Sequence, residues 1–135
     1  MQPYTHKVQY YETDQMGIAH HSNYIRWMEE ARIDFLSQIG WDYKTLEKNG
    51  VISPVTSVEC KYKVTTKFYD ILTIHVSVTE FKGVKLKLKY EMFRDDTLVC
   101  EASSEHCFLD TQGRILNIKR SHPDFYETLA SYAQD

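Results

Sequence analysis

Residues 24–39 carry a single apolar stripe. Tyr24, Trp27, Met28, Ala31, Phe35 and Ile39 recur at steps of three and four, while Arg26, Glu29, Glu30 and Asp34 fall away from them. That spacing predicts one long helix with a face that must be buried. From Val51 onward the period changes to two. Thr56, Val58, Cys60, Tyr62 and Val64 alternate with polar residues over 55–64. The same pattern recurs over 70–81 with Leu72, Ile74, Val76 and Val78, and over 84–93 with Val84, Leu86, Leu88, Tyr90 and Met92. A further strand is expected over 97–109. Turns are expected at Lys82-Gly83, Asp95-Asp96 and Asp110 to Gly113. A run of strands after a helix favours an α+β fold with an antiparallel sheet. The meander is the only large apolar surface available, so the sheet must wrap the helix.

The remaining segments fit this frame. Residues 3–11, with Tyr4, Val8 and Tyr10, read as a first strand, and residues 12–21 as a loop around Gly17. Ser22 or Asn23 would cap the long helix, and Gly40 would end it. Asp42 would cap a short helix over 43–48, closed by Asn49-Gly50, while Ser121 and Pro123 open a C-terminal helix.

The chain has 135 residues, which fits one domain over 1–135. Apolar residues make up 42% and charged residues 26%, the balance of a soluble globular protein. A net charge of −3 gives no reason to expect nucleic acid or an anionic membrane as partner. No apolar run reaches the roughly 18–20 residues that span a bilayer, and no targeting segment is expected. Cys60, Cys100 and Cys107 are odd in number and lack Cys-x-x-Cys spacing. They read as buried free thiols in a reducing compartment, so a cytoplasmic protein is expected.

Chemistry concentrates in residues 10–24, Tyr-Tyr-Glu-Thr-Asp-Gln-Met-Gly-Ile-Ala-His-His-Ser-Asn-Tyr. Asp14 lies just ahead of a glycine turn, two histidines and the helix start. A carboxylate facing the positive end of a helix suits attack on a carbonyl, with free N–H groups to hold the oxyanion. Asp14 also suits an Asx-turn or a helix cap. The His21 imidazole reads either as part of the chemistry or as a group that only orients the loop, His20 as a surface or pocket-wall residue, and Glu12 as solvated or ion-paired with a minor role in tuning Asp14. Adjacent histidines do not easily reach one ion, and no helical His-x-x-x-His or cysteine pair supports them, so no metal is expected.

Asp14-x-x-Gly17-Ile18-x-His20-His21-x-Asn23-Tyr24, followed by Glu30-Ala31-Arg32, resembles the hotdog-fold acyl-CoA thioesterases. The nearest groups are the 4-hydroxybenzoyl-CoA thioesterase type and the Tol-Pal-associated short-chain hydrolases. Val58 to Tyr62 and Tyr69 to Ile74 look like that family's strand pair after the second helix. The resemblance implies a five-stranded antiparallel sheet wrapped around a long central helix. It implies hydrolysis of an acyl thioester with Asp14 as nucleophile or general base and the His21 backbone N–H polarising the carbonyl. Gly17 would let substrate approach the backbone, Tyr24 could line the acyl pocket, and Lys61 and Lys63 could meet the phosphates of coenzyme A. The implied partner is acyl-CoA, or an acyl carrier protein in its place. No cofactor is implied, and the active site would lie between subunits of a homodimer or homotetramer. Ala19, Thr65, Thr66 and Tyr69 depart from the family pattern at positions that shape the acyl preference. Two other readings remain: a hotdog hydratase or dehydratase, and a non-catalytic binder of acyl-CoA or acyl carrier protein.

Overall fold

The structure is a computed structural model and describes residues 1–133. Residues 134 and 135, included in the expected single domain, lie outside the described residues. Along the chain come β1 (Tyr4–Lys7), α1 (Ser22–Gln38), α2 (Tyr43–Lys48), β2 (Val55–Tyr62), β3 (Ile71–Phe81), β4 (Leu86–Arg94), β5 (Thr97–His106), α3 (Ile118–Ser121) and α4 (Pro123–Ala130). The strands form one five-stranded sheet in the order β1-β3-β4-β5-β2, antiparallel throughout. Helix α1 touches β1, β3 and β2, so the same helix meets both edges of the sheet and its middle. The sheet therefore curls around α1, as the two hydrophobic periods require.

The helix buries Tyr24, Trp27, Met28, Ala31, Phe35 and Leu36. Opposite them stand Leu72, Ile74 and Val78 of β3, Leu88, Tyr90 and Met92 of β4, and Cys100 and Ala102 of β5. Alternation in the central strands thus reads out as one face inward and one outward. Phe125 and Leu129 of α4 seal the far end of this core, Phe125 lying against Trp41 and Phe108.

Four expectations are corrected in detail. The first strand stops at Lys7 instead of running to residue 11, and Tyr10–Glu12 form a single tight turn. The cause is Glu12, whose carboxylate turns back onto the Gln9 N–H at 2.8 Å and is buried, leaving Tyr10 and Tyr11 outside. The last strand ends at His106, and Leu109 makes only isolated bridges, to Ile52 and to Ile115. The residue at the N-cap of α1 is His21, without a side-chain cap bond, whereas Asn23 lies inside the helix and turns its amide onto the Glu12 carbonyl. Of the cysteines, Cys100 is buried but Cys60 and Cys107 are only partly so. Asp42 caps α2 as expected, accepting from the Thr45 N–H.

Strand β2 also departs from its pattern. Val55, Val58 and Tyr62 are 48%, 42% and 47% exposed, because β2 is an edge strand and only its Cys60 reaches the core. Alternation there reports a face that nothing among the described residues covers.

A polar chain crosses the core beneath the sheet. Arg32 donates to the hydroxyls of Tyr43 and Tyr90, Tyr90 pairs with Ser104, and Ser104 with His106 Nε2 at 2.7 Å. Burial, and then the Arg32 charge, push the His106 pKa down to about 4. An unfolded chain takes up that proton near 6.5 and the folded protein only near 4. Between those values the unfolded state binds more protons, so this contribution is complete above about 6.5 and is lost as pH falls through about 4. Denaturant unfolding at pH 7 and pH 5 should show a larger loss of stability in wild type than in His106→Gln. Equal losses would mean that His106 is not the group that titrates.

Candidate active site

The loop between β1 and α1 is a miniature hairpin. Thr13 and Ala19 pair across it, the Asp14 N–H donates to the Ile18 carbonyl, and the Gly17 N–H to the Asp14 carbonyl. Gly17 has φ +80°, a conformation that costs a residue with a Cβ and costs glycine nothing. One oxygen of Asp14 accepts the Met16 N–H at 2.8 Å, which is the Asx-turn expected of a loop aspartate. The turn and the catalytic reading do not exclude each other: the carboxylate stays half-exposed and lines a cleft of about 240 Å³.

The other wall of that cleft is the start of α1. Here the backbone donors can be accounted for one by one. The His20 N–H goes to the Glu12 carbonyl and the Ser22 N–H to His20 Nδ1. The Asn23 N–H goes to the His20 carbonyl and the Tyr24 N–H to the His21 carbonyl. Among the described residues, the N–H of His21 alone of these five has no protein acceptor. It sits at the positive end of a seventeen-residue helix. His20 is exposed, and its ring nitrogen does the capping that Ser22 or Asn23 was expected to do.

Asp14, His21, Tyr24 and Lys63 from the expected set meet at this cleft. Gly17 shapes the turn beneath it without lining it. Lys61 lies elsewhere, on a shallow hollow of the outer sheet face, with its Nζ 3.7 Å from Glu59. The two lysines part because the N–H groups of both Lys63 and Val64 donate to the Val99 carbonyl. Two residues facing one partner make a β-bulge, which reverses the side-chain alternation beyond it.

Met16, Ile18, Tyr62 and Val64 also line the cleft and were not singled out from the sequence, whereas Ala19 and Thr65, which complete the lining, are two of the positions expected to shape the acyl preference. Tyr62 stands edge-on to Tyr24 at 5.0 Å and donates its hydroxyl to the His21 carbonyl at 3.3 Å. Burial, and then the neighbouring Cys60 side chain, push its pKa up to about 12, so the hydroxyl keeps its proton at neutral pH. Tyr24 has a raised pKa, chiefly through burial, and shares a proton with the fully buried Thr66 at 2.9 Å. Thr66 in turn accepts the Ala19 N–H on its carbonyl, which ties the hairpin to the chain ahead of β3.

Glu12 is not solvated, and of the two expected states it takes the ion-paired one, with His6. It is 4% exposed and takes bonds from the Gln9 N–H, Trp27 Nε1 and the His6 ring. Burial raises its pKa, but those donors outweigh burial and hold the carboxyl below its ordinary value. His6 is engaged between Glu12 and Glu30. Among the described residues, no three histidine, cysteine or carboxylate side chains converge as a ligand set.

A half-exposed carboxylate opposite an unpartnered helix N–H can activate water or attack a carbonyl, and can hold the oxyanion that results. The comparisons with known proteins point to the same chemistry. Residues 8–129 match the family described as the Thioesterase-like superfamily. The chain is similar to the DHNA-CoA thioesterase structure from Staphylococcus aureus, with 30% identity and a TM-score of 0.91 over 96% of this chain and 89% of that one. It is 26% identical to the acyl-CoA thioesterase YbgC of Haemophilus influenzae over 77% of each chain. It is 23% identical to the 4-hydroxybenzoyl-CoA thioesterase of a Pseudomonas species, over 90% of this chain and 92% of that one. The chain belongs to the thioesterase-like superfamily, and is a thioester hydrolase on the hotdog fold.

Proposed function

We propose that the substrate is an acyl-CoA, cleaved in the cleft between the Asp14 hairpin and the start of α1. The observation that carries this reading is the meeting of the Asp14 carboxylate and the unpartnered His21 N–H on one cleft. The thioester carbonyl oxygen would accept the His21 N–H. Asp14 would then attack the carbonyl carbon, expelling the thiolate and leaving a mixed anhydride for water to open. Alternatively, it would take a proton from water as that water attacks. One well-aimed backbone donor contributes roughly 3–4 kcal/mol to such a transition state. Tyr24 and Tyr62 would flank the acyl group, with Gly17 keeping the hairpin tight enough for substrate to approach. Lys63 at the rim, and Lys61 further along β2, would meet the phosphates of coenzyme A.

The protein is proposed to be a single-domain enzyme over 1–135, to act in the cytoplasm and to assemble as a homodimer or homotetramer. Three free cysteines support the reducing compartment. The unpaired, apolar edge of β2 supports the assembly, since pairing between subunits removes such an edge. No helix among the described residues is long and apolar enough to cross a membrane. The names of the relatives favour coenzyme A over an acyl carrier protein as the carrier.

Asp14→Asn preserves size and the turn but removes the base and the nucleophile. A panel of short, branched, long and aromatic acyl-CoAs should show a loss of kcat of at least roughly 100-fold, with the protein still folded. Undiminished turnover in Asp14→Asn would defeat the assignment, and binding of acyl-CoA without cleavage by wild type would favour a binding module. Lys63→Ala should raise KM for acyl-CoA by roughly two- to fivefold with kcat unchanged, the scale of one exposed charge contact. The effect should shrink as salt is raised, and a salt-independent effect would remove the phosphate role.

A further inference from the structure

Asp14 and His21 sit seven positions apart on a loop, yet the reaction needs them held to a fraction of an ångström. The hairpin fixes Asp14 against Ile18, and the helix fixes His21 against α1, but neither fixes one to the other. The link runs through Glu12. Its backbone carbonyl accepts the His20 N–H at 2.8 Å and Asn23 Nδ2 at 2.8 Å. Its side chain accepts the Gln9 N–H at 2.8 Å and Trp27 Nε1 at 2.7 Å, and lies 2.8 Å from His6 Nε2. One residue therefore grips the strand before the loop, the residue next to His21 and the fully buried Trp27 in the middle of α1. It stands two positions ahead of Asp14.

Stability alone does not account for this arrangement. A buried carboxylate gives up its hydration, and a well-packed apolar side chain in its place is often as stable or more so. What the carboxylate provides is direction, because each donor fixes one angle of the chain. Glu12 does not line the cleft, so it does not touch substrate.

We infer that Glu12 is a positioning residue for thioester hydrolysis, setting the separation between the Asp14 carboxylate and the N–H of His21. The inference rests on the roles given to those two groups above. Glu12→Gln is nearly isosteric but brings an NH2 group where only acceptors stood. Whichever way the amide turns, the donors of Trp27, or those of Gln9 and His6, meet another donor. Misplacement by about 1 Å at a reacting group lowers the rate by up to roughly 100-fold. The expected result is a kcat reduced by roughly 10- to 100-fold, with KM for acyl-CoA within about twofold of wild type.

A double-mutant cycle separates positioning from a structural role. With the Asp14 carboxylate already removed, Glu12→Gln has little left to position. Added to Asp14→Asn, it should lower the residual rate by less than about twofold, whereas independent effects multiply in full. Trp27→Phe removes only the 2.7 Å bond and keeps a ring in the core, and it stands in if Glu12→Gln fails to fold. It should lower kcat in the same direction, with the same loss of effect in the Asp14→Asn background. The inference falls if the folded variant has wild-type kcat, or if its loss is undiminished in the Asp14→Asn background. If Asp14→Asn itself hydrolyses acyl-CoA normally, the proposed function fails first, and that outcome is distinct from either of these.

Discussion

One helix is buried along most of its length, and the rest of the fold is arranged to cover it. Trp27 and Met28 at its centre are almost wholly excluded from solvent, and residues from three strands close over them. A helix in that position has no freedom to slide or turn. Its first turn must emerge at a fixed place at the end of the sheet, with its orphan N–H groups directed outward. Most globular helices spend those donors on a capping side chain. Here His20 satisfies the Ser22 N–H and the Glu12 carbonyl satisfies the His20 N–H, which leaves the donor between them, on His21, to face the cleft.

The chemistry of the site is therefore mostly backbone chemistry. On the proposed reading Asp14 supplies the reacting side chain and a peptide N–H holds the oxyanion, while the turn that carries Asp14 is held by backbone hydrogen bonds and by Gly17. Such a device tolerates wide change in the surrounding side chains. The side chains of Ala19, Val64 and Thr65 can vary in size and polarity without removing either element.

The same division governs what could be read from the sequence. The long helix, the hairpins, the cap at Asp42 and the helix start at Pro123 follow from local periodicity and local chain chemistry, so they were legible. Asp14 and His21 were legible because a carboxylate, a glycine and a helix start stand in register over a few residues. Glu12 was not, because its role comes from Trp27, fifteen positions on, and from the carbonyl it presents to His20. Nothing in a Tyr-Tyr-Glu run signals a buried carboxylate. Tyr62 was missed because it reads as one more apolar position of an alternating strand, and only the fold brings it against Tyr24 and the His21 carbonyl. Strand β2 read as half-buried because its sequence alternates, and the chain alone leaves it open.

That last mismatch connects assembly to chemistry. An alternating strand is written for a covered face, and β2 has Val55, Val58 and Tyr62 in the open along an edge with unpaired backbone groups. Tyr62 belongs to that edge and also to the cleft, where its hydroxyl holds the His21 carbonyl. Whatever pairs with β2 thus approaches the start of α1 as well. A second copy seated there would bury the apolar edge and supply the missing side of a cleft that the single chain leaves open to water. It would also lower the dielectric around the Asp14 carboxylate and the His21 N–H, where both act more strongly. On this reading the hydrophobic term that drives association and the electrostatic term that drives hydrolysis draw on the same strand, so neither could be lost without weakening the other.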